Sequence, residues 1–368
     1  MMAFENVSQR VVFSYWRQLK EFVPVIPEHL SEGEHQAMEK SQKDLHGFFS
    51  AFYRCAYDDP AAFGLPVTED VCTNEGDGKD EKRVVATQVR KVRVKMDHGI
   101  DFLWLFGRQG VLMGEGLQLS REDYTAYFAK SPRVKRKILK GLATVGLTVT
   151  EADDGAMIAN THTPAMMPAL KAWIEACLRL DDERLARFLF TRCDLRVLDA
   201  DYVPDVLDVL RTAVSPLEYE VAVELHNALV ALSYVPSLRV GGTYEWRIPY
   251  QGKRAVKSTP FFEFEYEDRQ KHQLGMHVKC AAANRLAAHL AQQSAALQED
   301  FFHHASNCGG ASCGWCKTRK ALGPSKIEYG GETKTICWYM RRRFTELHSE
   351  TVDLIEQYAL LHEALVEA

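Results

Sequence analysis

The stretch that decides the fold is SREDYTAYFAKSPRVKRKILKGLATVGLTVTEADDGAMIANT, residues 120–161. Ser120, three residues before Asp123, is a typical helix N-cap and predicts a short helix over REDYTAYFA. Ser131 and Pro132 predict the start of a second helix, because proline is favoured at the first helical position. Two helices therefore follow each other closely, with no room for more than a short turn between them.

A glycine-tipped hairpin follows the second helix. The strand-like runs LTVTEA and GAMIANT lie on either side of Asp154-Gly155, a dipeptide favoured in tight hairpin turns. The order of helix, helix and hairpin resembles the winged helix-turn-helix pattern over about residues 95–165. That resemblance implies that the second helix, over residues 132–144, is the one that would lie in the DNA major groove.

The second helix is predicted to be amphipathic and basic. Val134, Ile138, Leu139 and Leu142 form its buried stripe, and its other positions form an outer face that meets phosphates and base edges. The residues predicted on that face are Arg133, Lys135, Arg136, Lys137 and Lys140. Residues 81–140 carry eight more basic than acidic side chains although the whole chain has a net charge of −5. This asymmetry favours an anionic partner, duplex DNA.

The rest of the chain predicts a mostly helical α+β protein in four regions. Residues 1–80 form an N-terminal helical region with an acidic linker, 81–180 the winged-helix-like module, and 181–235 a helical connector. In residues 236–368, apolar side chains alternate with Glu263, Glu265, His277 and Lys279, which predicts an antiparallel sheet with one face in water. A helix, a cysteine cluster and a C-terminal helix complete this last region.

The cysteine cluster has the spacing C-x4-C-x2-C-x20-C, from Cys308, Cys313, Cys316 and Cys337. A C-x2-C turn brings two sulfurs together, and a hairpin about Gly330-Gly331 would return Cys337 toward them. Four thiolates suit a closed, structural Zn²⁺ site in a zinc-ribbon-like module. His303 or His304 could replace Cys308 as a ligand.

Three other interpretations of this cluster stay open. CGGASCGWC resembles the loop of plant-type ferredoxins, which implies a [2Fe–2S] cluster as the cofactor. Cys313-Gly-Trp-Cys316 could be a redox dithiol, although no strand is predicted before it. The four cysteines could also be unrelated reduced thiols, since the other five are scattered singly.

Composition and motifs limit the possible functions. No apolar run is long enough to span a bilayer, and the N-terminal stretch lacks the features of a secretory signal, so we expect a cytoplasmic protein that does not contact membranes. The sequence contains no phosphate-binding loop, nucleophile elbow or metalloprotease motif, so no motif favours an enzyme. We therefore expect a DNA-binding or regulatory protein with structural zinc. The alternatives are an iron–sulfur or thiol redox enzyme or sensor, and a module that only binds another protein.

Overall fold

The chain forms a mostly helical α+β protein with antiparallel sheets, as predicted from its sequence. The computed structural model describes residues 4–27, 30–68, 79–240, 246–252, 262–267, 273–280, 283–308, 325–337, 340–344 and 347–367. Among the helices of these residues, none combines the length and the apolar character needed to cross a bilayer.

The chain divides into two compact units. The first covers the chain to Pro204, and the second covers nearly all of the chain from Asp205 on. The segment 181–235, expected to be a connector, is split between them. Residues 1–80 and 81–180, expected to be separate regions, lie together in the first unit.

The first unit contains seven helices, a short 3-10 helix and a four-stranded antiparallel sheet in the order β1-β2-β4-β3 within the described residues. In chain order the elements are α1 (Val7–Arg17), α2 (Glu32–Asp58), α3 (Lys79–Gln109), β1 (Val111–Met113), β2 (Gly116–Ser120), α4 (Arg121–Ala129), α5 (Pro132–Thr144), β3 (Leu147–Ala152), β4 (Gly155–Asn160), α6 (Met166–Cys177), α7 (Glu183–Thr191) and the 3-10 helix (Leu195–Leu198).

The local signals of the decisive stretch produce the expected elements. The Ser120 hydroxyl accepts a hydrogen bond from the Asp123 backbone amide at 3.2 Å and so caps α4. Pro132 begins α5 after Ser131, which adopts a left-handed backbone conformation with φ of 57°. Gly155 ends the hairpin turn where β4 approaches β2 so closely that a Cβ would collide with the Leu119 carbonyl. The stretch before β1 is one long helix, α3, which begins at Lys79.

An aromatic core joins the N-terminal helices to the rest of the first unit. Phe49 of α2 packs against Phe190 of α7 with ring centres 5.1 Å apart, and Trp173 of α6 lies 4.7 Å from the same ring. Phe48 and Phe52, on the same face of α2, are fully buried. The helix α2 therefore contributes to the core that supports α3 to α6.

The second unit is built on a six-stranded antiparallel sheet in the order β12-β9-β8-β7-β5, with β6 paired to β7, and a separate hairpin of β10 and β11. Its elements are α8 (Val206–Ala213), α9 (Pro216–Ala231), β5 (Val235–Pro236), β6 (Arg239–Val240), β7 (Trp246–Gln251), β8 (Phe262–Glu267), β9 (Gln273–Cys280), α10 (Ala283–Leu290), α11 (Ala295–His304), β10 (Ser325–Tyr329), β11 (Glu332–Ile336), β12 (Met340–Phe344) and α12 (Ser349–Glu367). The turn at Gly330-Gly331, both with positive φ, closes the predicted hairpin.

One face of the six-stranded sheet carries the core of the second unit, as the alternation of its strands predicts. Trp246, Phe262, Phe264 and Met276 are all fully buried on it. The opposite face corrects the expectation of a face in water. Glu263 is 4% exposed and His277 is 1% exposed, so polar side chains are enclosed where solvation was predicted.

Candidate nucleic-acid interface and cysteine cluster

Helix α5 presents one exposed basic face. Arg133, Arg136, Lys137 and Lys140 are all exposed and follow the spacing i, i+3, i+4, i+7. At about 100° per residue, these positions cover an arc of about 100° on the helix. Within the described part of the chain, none of the four side chains is in an ion pair. The face is therefore a cationic strip whose charge is not neutralised by those neighbours.

The opposite side of α5 fixes the helix to the unit. Ile138 and Leu142 are buried, and Val134 and Leu139 are half-buried, so the apolar stripe has its predicted position. Two glycines allow close packing: Gly141 lies against the ring of Phe63, and Gly99 of α3 lies against Ile138. The strip of basic residues is thus held on a helix whose orientation is set by the core.

Lys135 does not belong to the exposed face, which corrects its predicted position. Lys135 is 7% exposed, and its Nζ donates to the backbone carbonyl of Tyr127. The same Nζ lies 3.8 Å from the centre of the Tyr127 side-chain ring. The Tyr127 hydroxyl in turn donates to the His98 carbonyl at 2.6 Å, so Lys135 links α5 to α4 and α3. Burial lowers the pKa of Lys135 from its ordinary value. Lys135 lies three residues before Ile138 and seven before Leu142, and this helical spacing predicts a place on the buried stripe of α5.

A groove of about 670 Å³ runs beside the exposed strip, between α4, α5 and β3. Arg121 of α4 and Arg136 and Lys140 of α5 line it together with the aromatic rings of Tyr124 and Phe128. These two rings pack edge to face with centres 5.0 Å apart. The contribution of α4 could not be predicted from the sequence, because Arg121 and Tyr124 belong to a helix without a basic run.

The hairpin of β3 and β4 is fastened to α4. The Tyr124 hydroxyl donates to Glu151 at 2.8 Å, and the guanidinium of Arg121 donates to the Asp153 carbonyl at 3.1 Å. Burial, and then the bond to Glu151, raises the pKa of Tyr124 above its ordinary value. Glu151, Asp153 and Asp154 are all exposed. The tip of this hairpin is therefore acidic, in contrast to the strip on α5.

The backbone pairs the two segments that carry Cys308 and Cys337, two of the four predicted cysteine ligands. The amide of Cys308 donates to the Thr335 carbonyl at 3.0 Å, and the amide of Cys337 donates to the Ser306 carbonyl at 2.9 Å. Asn307 and Ile336 pair as an antiparallel bridge between them. Because side chains alternate along extended chains, the two half-buried cysteines lie on the same side of this bridge. Cys313 and Cys316 lie outside the described residues.

The histidines that could replace Cys308 as ligands belong to the end of α11. His303 and His304 are both exposed, and Nδ1 of His304 lies 3.2 Å from a carboxylate oxygen of Asp300. Among the residues that the structure describes, no three cysteine, histidine or acidic side chains converge to hold a metal ion. The predicted ligand set thus depends on Cys313 and Cys316.

The basic run at residues 341–343 is divided between the two faces of the sheet. Arg342 lies on the core side, where its Nε is 3.1 Å from the carboxylate of Asp300, which also accepts a bond from Tyr358 at 2.9 Å. Arg341 and Arg343 lie on the polar side. The run is therefore not one continuous surface patch.

No family model, curated protein or solved structure matches the chain.

Proposed function

We propose that the first unit binds duplex DNA through the exposed face of α5 formed by Arg133, Arg136, Lys137 and Lys140. The observation that carries this proposal is the position of these four exposed basic residues on one arc of a helix anchored by its other side. An exposed cationic helix of 13 residues fits the major groove, where arginine and lysine can contact phosphates and guanine edges.

The order of the elements supports the same proposal. Helix α3, strand β2, helices α4 and α5, and the hairpin of β3 and β4 follow each other as in a winged helix-turn-helix, with β2 paired to β4. In that arrangement α5 is the recognition helix. The acidic hairpin tip would be repelled by phosphates, so we expect α5, together with Arg121 in the adjoining groove, to supply the cationic contacts.

The test is the salt dependence of binding to a fluorescently labelled duplex, followed by anisotropy. The logarithm of the association constant should fall by about 0.9 per phosphate contact for each unit of the logarithm of salt concentration. Changing Arg133, Arg136 and Lys137 together to alanine should flatten that slope by about 2 to 3.

The matched control removes the same charge elsewhere on the first unit. Lys43, Arg108 and Arg184 are exposed, and their joint change to alanine should leave the slope within about 0.5 of the parent. The proposal would be wrong if the protein did not bind the duplex at low salt, or if both triple variants flattened the salt slope equally.

We also propose that Cys308, Cys313, Cys316 and Cys337 hold one structural Zn²⁺ in the second unit. The support is the bridge between Asn307 and Ile336, which puts Cys308 and Cys337 on one face of the two paired segments, diagonally across from each other. Such a site would tie the hairpin of β10 and β11 to the segment after α11. Because a structural zinc contributes directly to folding, its removal should destabilise the second unit.

Metal analysis of anaerobically prepared protein tests this site. We expect a colourless protein with about one zinc per chain, and a zinc content that falls after Cys313 and Cys316 are changed to serine. A brown protein with visible absorption bands would instead support the iron–sulfur alternative. Protein that folds equally well without any metal would leave the cysteines as reduced thiols.

A further inference from the structure

The groove between α4, α5 and β3 has an apolar floor that is open to water. Its volume, about 670 Å³, is within the range of pockets that hold small molecules. Phe128 of α4, Leu139 of α5 and Val149 of β3 line the groove, and all three are half-buried. Within the described part of the chain, these side chains therefore keep contiguous apolar surface in contact with water, which is typical of a ligand site.

The rim of the same groove is cationic. Arg136 and Lys140 are exposed, and neither is in an ion pair with the described residues. Arg121 donates to a backbone carbonyl, which does not neutralise its charge. Among the described residues that line the groove, Glu151 is the acidic one, and it accepts a hydrogen bond from Tyr124. Three positive charges and one negative charge leave the rim with an excess of positive charge.

Contact with DNA does not account for the apolar floor. Phosphates and sugars are held by basic and polar side chains, which the exposed strip of α5 offers without the groove. The rings of Tyr124 and Phe128, with centres 5.0 Å apart, instead suit a planar apolar ligand. An anionic group on that ligand would be attracted to the rim, and a carboxylate can accept two parallel hydrogen bonds from one guanidinium.

We infer that this groove binds a small aromatic carboxylic acid, whose rings cover the apolar floor and whose carboxylate contacts Arg136 and Lys140. Charge complementarity selects the anion, and the floor selects the rings. Binding of the acid does not depend on DNA binding. Its consequence for regulation does rest on the proposed function, because Arg136 and Lys140 also belong to the DNA-binding strip. The acid and the duplex should therefore compete for the first unit.

Isothermal titration calorimetry of the full chain with 2-naphthoate tests the groove directly. The neutral 2-naphthamide has the same rings and should bind about tenfold more weakly, and acetate, which has the charge without the rings, should not bind. The variant R136A/K140A should bind 2-naphthoate about tenfold more weakly than the parent. The matched control R133A/K137A removes the same charge from positions of α5 outside the lining of the groove, and its affinity should stay within about twofold of the parent.

The variant Ala143→Trp tests the floor without a change of charge. Ala143 lines the groove and is exposed, so an indole at this position should fill the groove without entering the core and weaken 2-naphthoate binding about tenfold. Ala126→Trp, at an exposed position of α4 outside the lining, should keep the parent affinity. The inference would be overturned by no binding of 2-naphthoate, by equal binding of 2-naphthamide, or by parent affinity in both R136A/K140A and Ala143→Trp.

Displacement of a fluorescently labelled duplex tests the consequence for regulation. Saturating 2-naphthoate should release the duplex, whereas acetate at the same ionic strength should not. Ala143→Trp should still bind the duplex, because Ala143 is not one of the four basic residues of the strip, but 2-naphthoate should no longer displace it. A protein that binds 2-naphthoate but no duplex would contradict only the DNA proposal. A duplex that stays bound at saturating 2-naphthoate would contradict only the competition.

Discussion

Lys135 is a charged side chain that acts as part of the core. Its ammonium group donates to the Tyr127 backbone carbonyl and lies over the Tyr127 ring. Its aliphatic chain lies on the buried stripe of α5 with Ile138. A buried ammonium is tolerated when a hydrogen bond and a ring replace its water. Position on the helix, and not residue type, therefore decides whether a lysine of this basic run faces a ligand.

Changing Lys135 to alanine should lower stability without removing a DNA contact. Loss of the charged hydrogen bond and the ring contact should reduce the free energy of unfolding by about 1–2 kcal/mol in urea denaturation. The salt slope of DNA binding should stay unchanged. Arg136, one residue further on and exposed, is the matched comparison: its change to alanine should leave stability within about 0.5 kcal/mol and flatten the slope by about 0.9. The reverse pattern would show that Lys135 faces the ligand.

The pair of buried Tyr234 and half-buried His362 makes the second unit sensitive to acid. The Tyr234 hydroxyl lies 2.6 Å from Nδ1 of His362, and burial lowers the pKa of His362 to about 4. The unfolded chain takes up this proton near pH 6.5 and the folded chain resists it. The neutral ring therefore contributes fully to the free energy of unfolding above about pH 6.5. This contribution, about 2–3 kcal/mol, is lost as the pH falls toward 4.

Urea denaturation at pH 7.5 and pH 4.5 measures this loss. In the variant His362→Asn, whose amide can still form a hydrogen bond with the Tyr234 hydroxyl but does not titrate, the decrease in stability between the two pH values should be smaller by about 2 kcal/mol. His303 is exposed, and its change to asparagine should not alter the decrease. An identical pH dependence in the parent and His362→Asn would show that His362 does not titrate as described.

At the scale of elements, the position of α5 depends on glycine. A Cβ at Gly141 would overlap the ring of Phe63, and the ring is fully buried. Changing Gly141 to valine should displace α5, lower the free energy of unfolding by about 1–3 kcal/mol and weaken DNA binding. Gly47 is exposed in α2 with no atom near its missing Cβ, so Gly47→Val should change neither quantity by much. Normal stability of Gly141→Val would contradict this packing.

Elements that begin and end with local signals could be predicted from the sequence. The capping box of Ser31 and Glu34 begins α2, Pro132 begins α5, and glycines close the hairpins at residues 155 and 330–331. Each of these signals acts within a few residues, so the sequence contains all of it. Whether the stretch before β1 forms one long helix or two short ones depends on packing of α3 against α6 and α1, which local signals do not determine.

Burial was harder to predict than helix position. In α1 the three-residue spacing of Phe13 and Trp16 is typical of a buried stripe, yet both are only half-buried, whereas Val11 and Tyr15 are fully or almost fully enclosed. The sheet shows the same limit, since Glu263 and His277 alternate with apolar residues as solvent-facing side chains do. What encloses them comes from elsewhere in the chain, and alternation along one strand carries no information about it.

At the scale of the whole molecule, the two proposed sites belong to different units. The DNA-binding strip is in the first unit, and the cysteine cluster is in the second. The first unit has its own aromatic core, built from α2, α6 and α7, in which Phe190 contacts both Phe49 and Trp173. A unit with a core of this kind meets the main requirement for folding alone.

We therefore expect residues 1–204 to fold and bind DNA without the second unit. The fragment should show one cooperative unfolding transition by circular dichroism, because its core is made from its own residues. Its salt slope for duplex binding should match that of the full chain within about 0.5, since all four basic residues of the strip are retained. A fragment carrying the R133A/R136A/K137A changes is the control for nonspecific binding. If the fragment folds but does not bind duplex that the full chain binds, the contacts lie outside α5; if it does not fold, the first unit depends on the second.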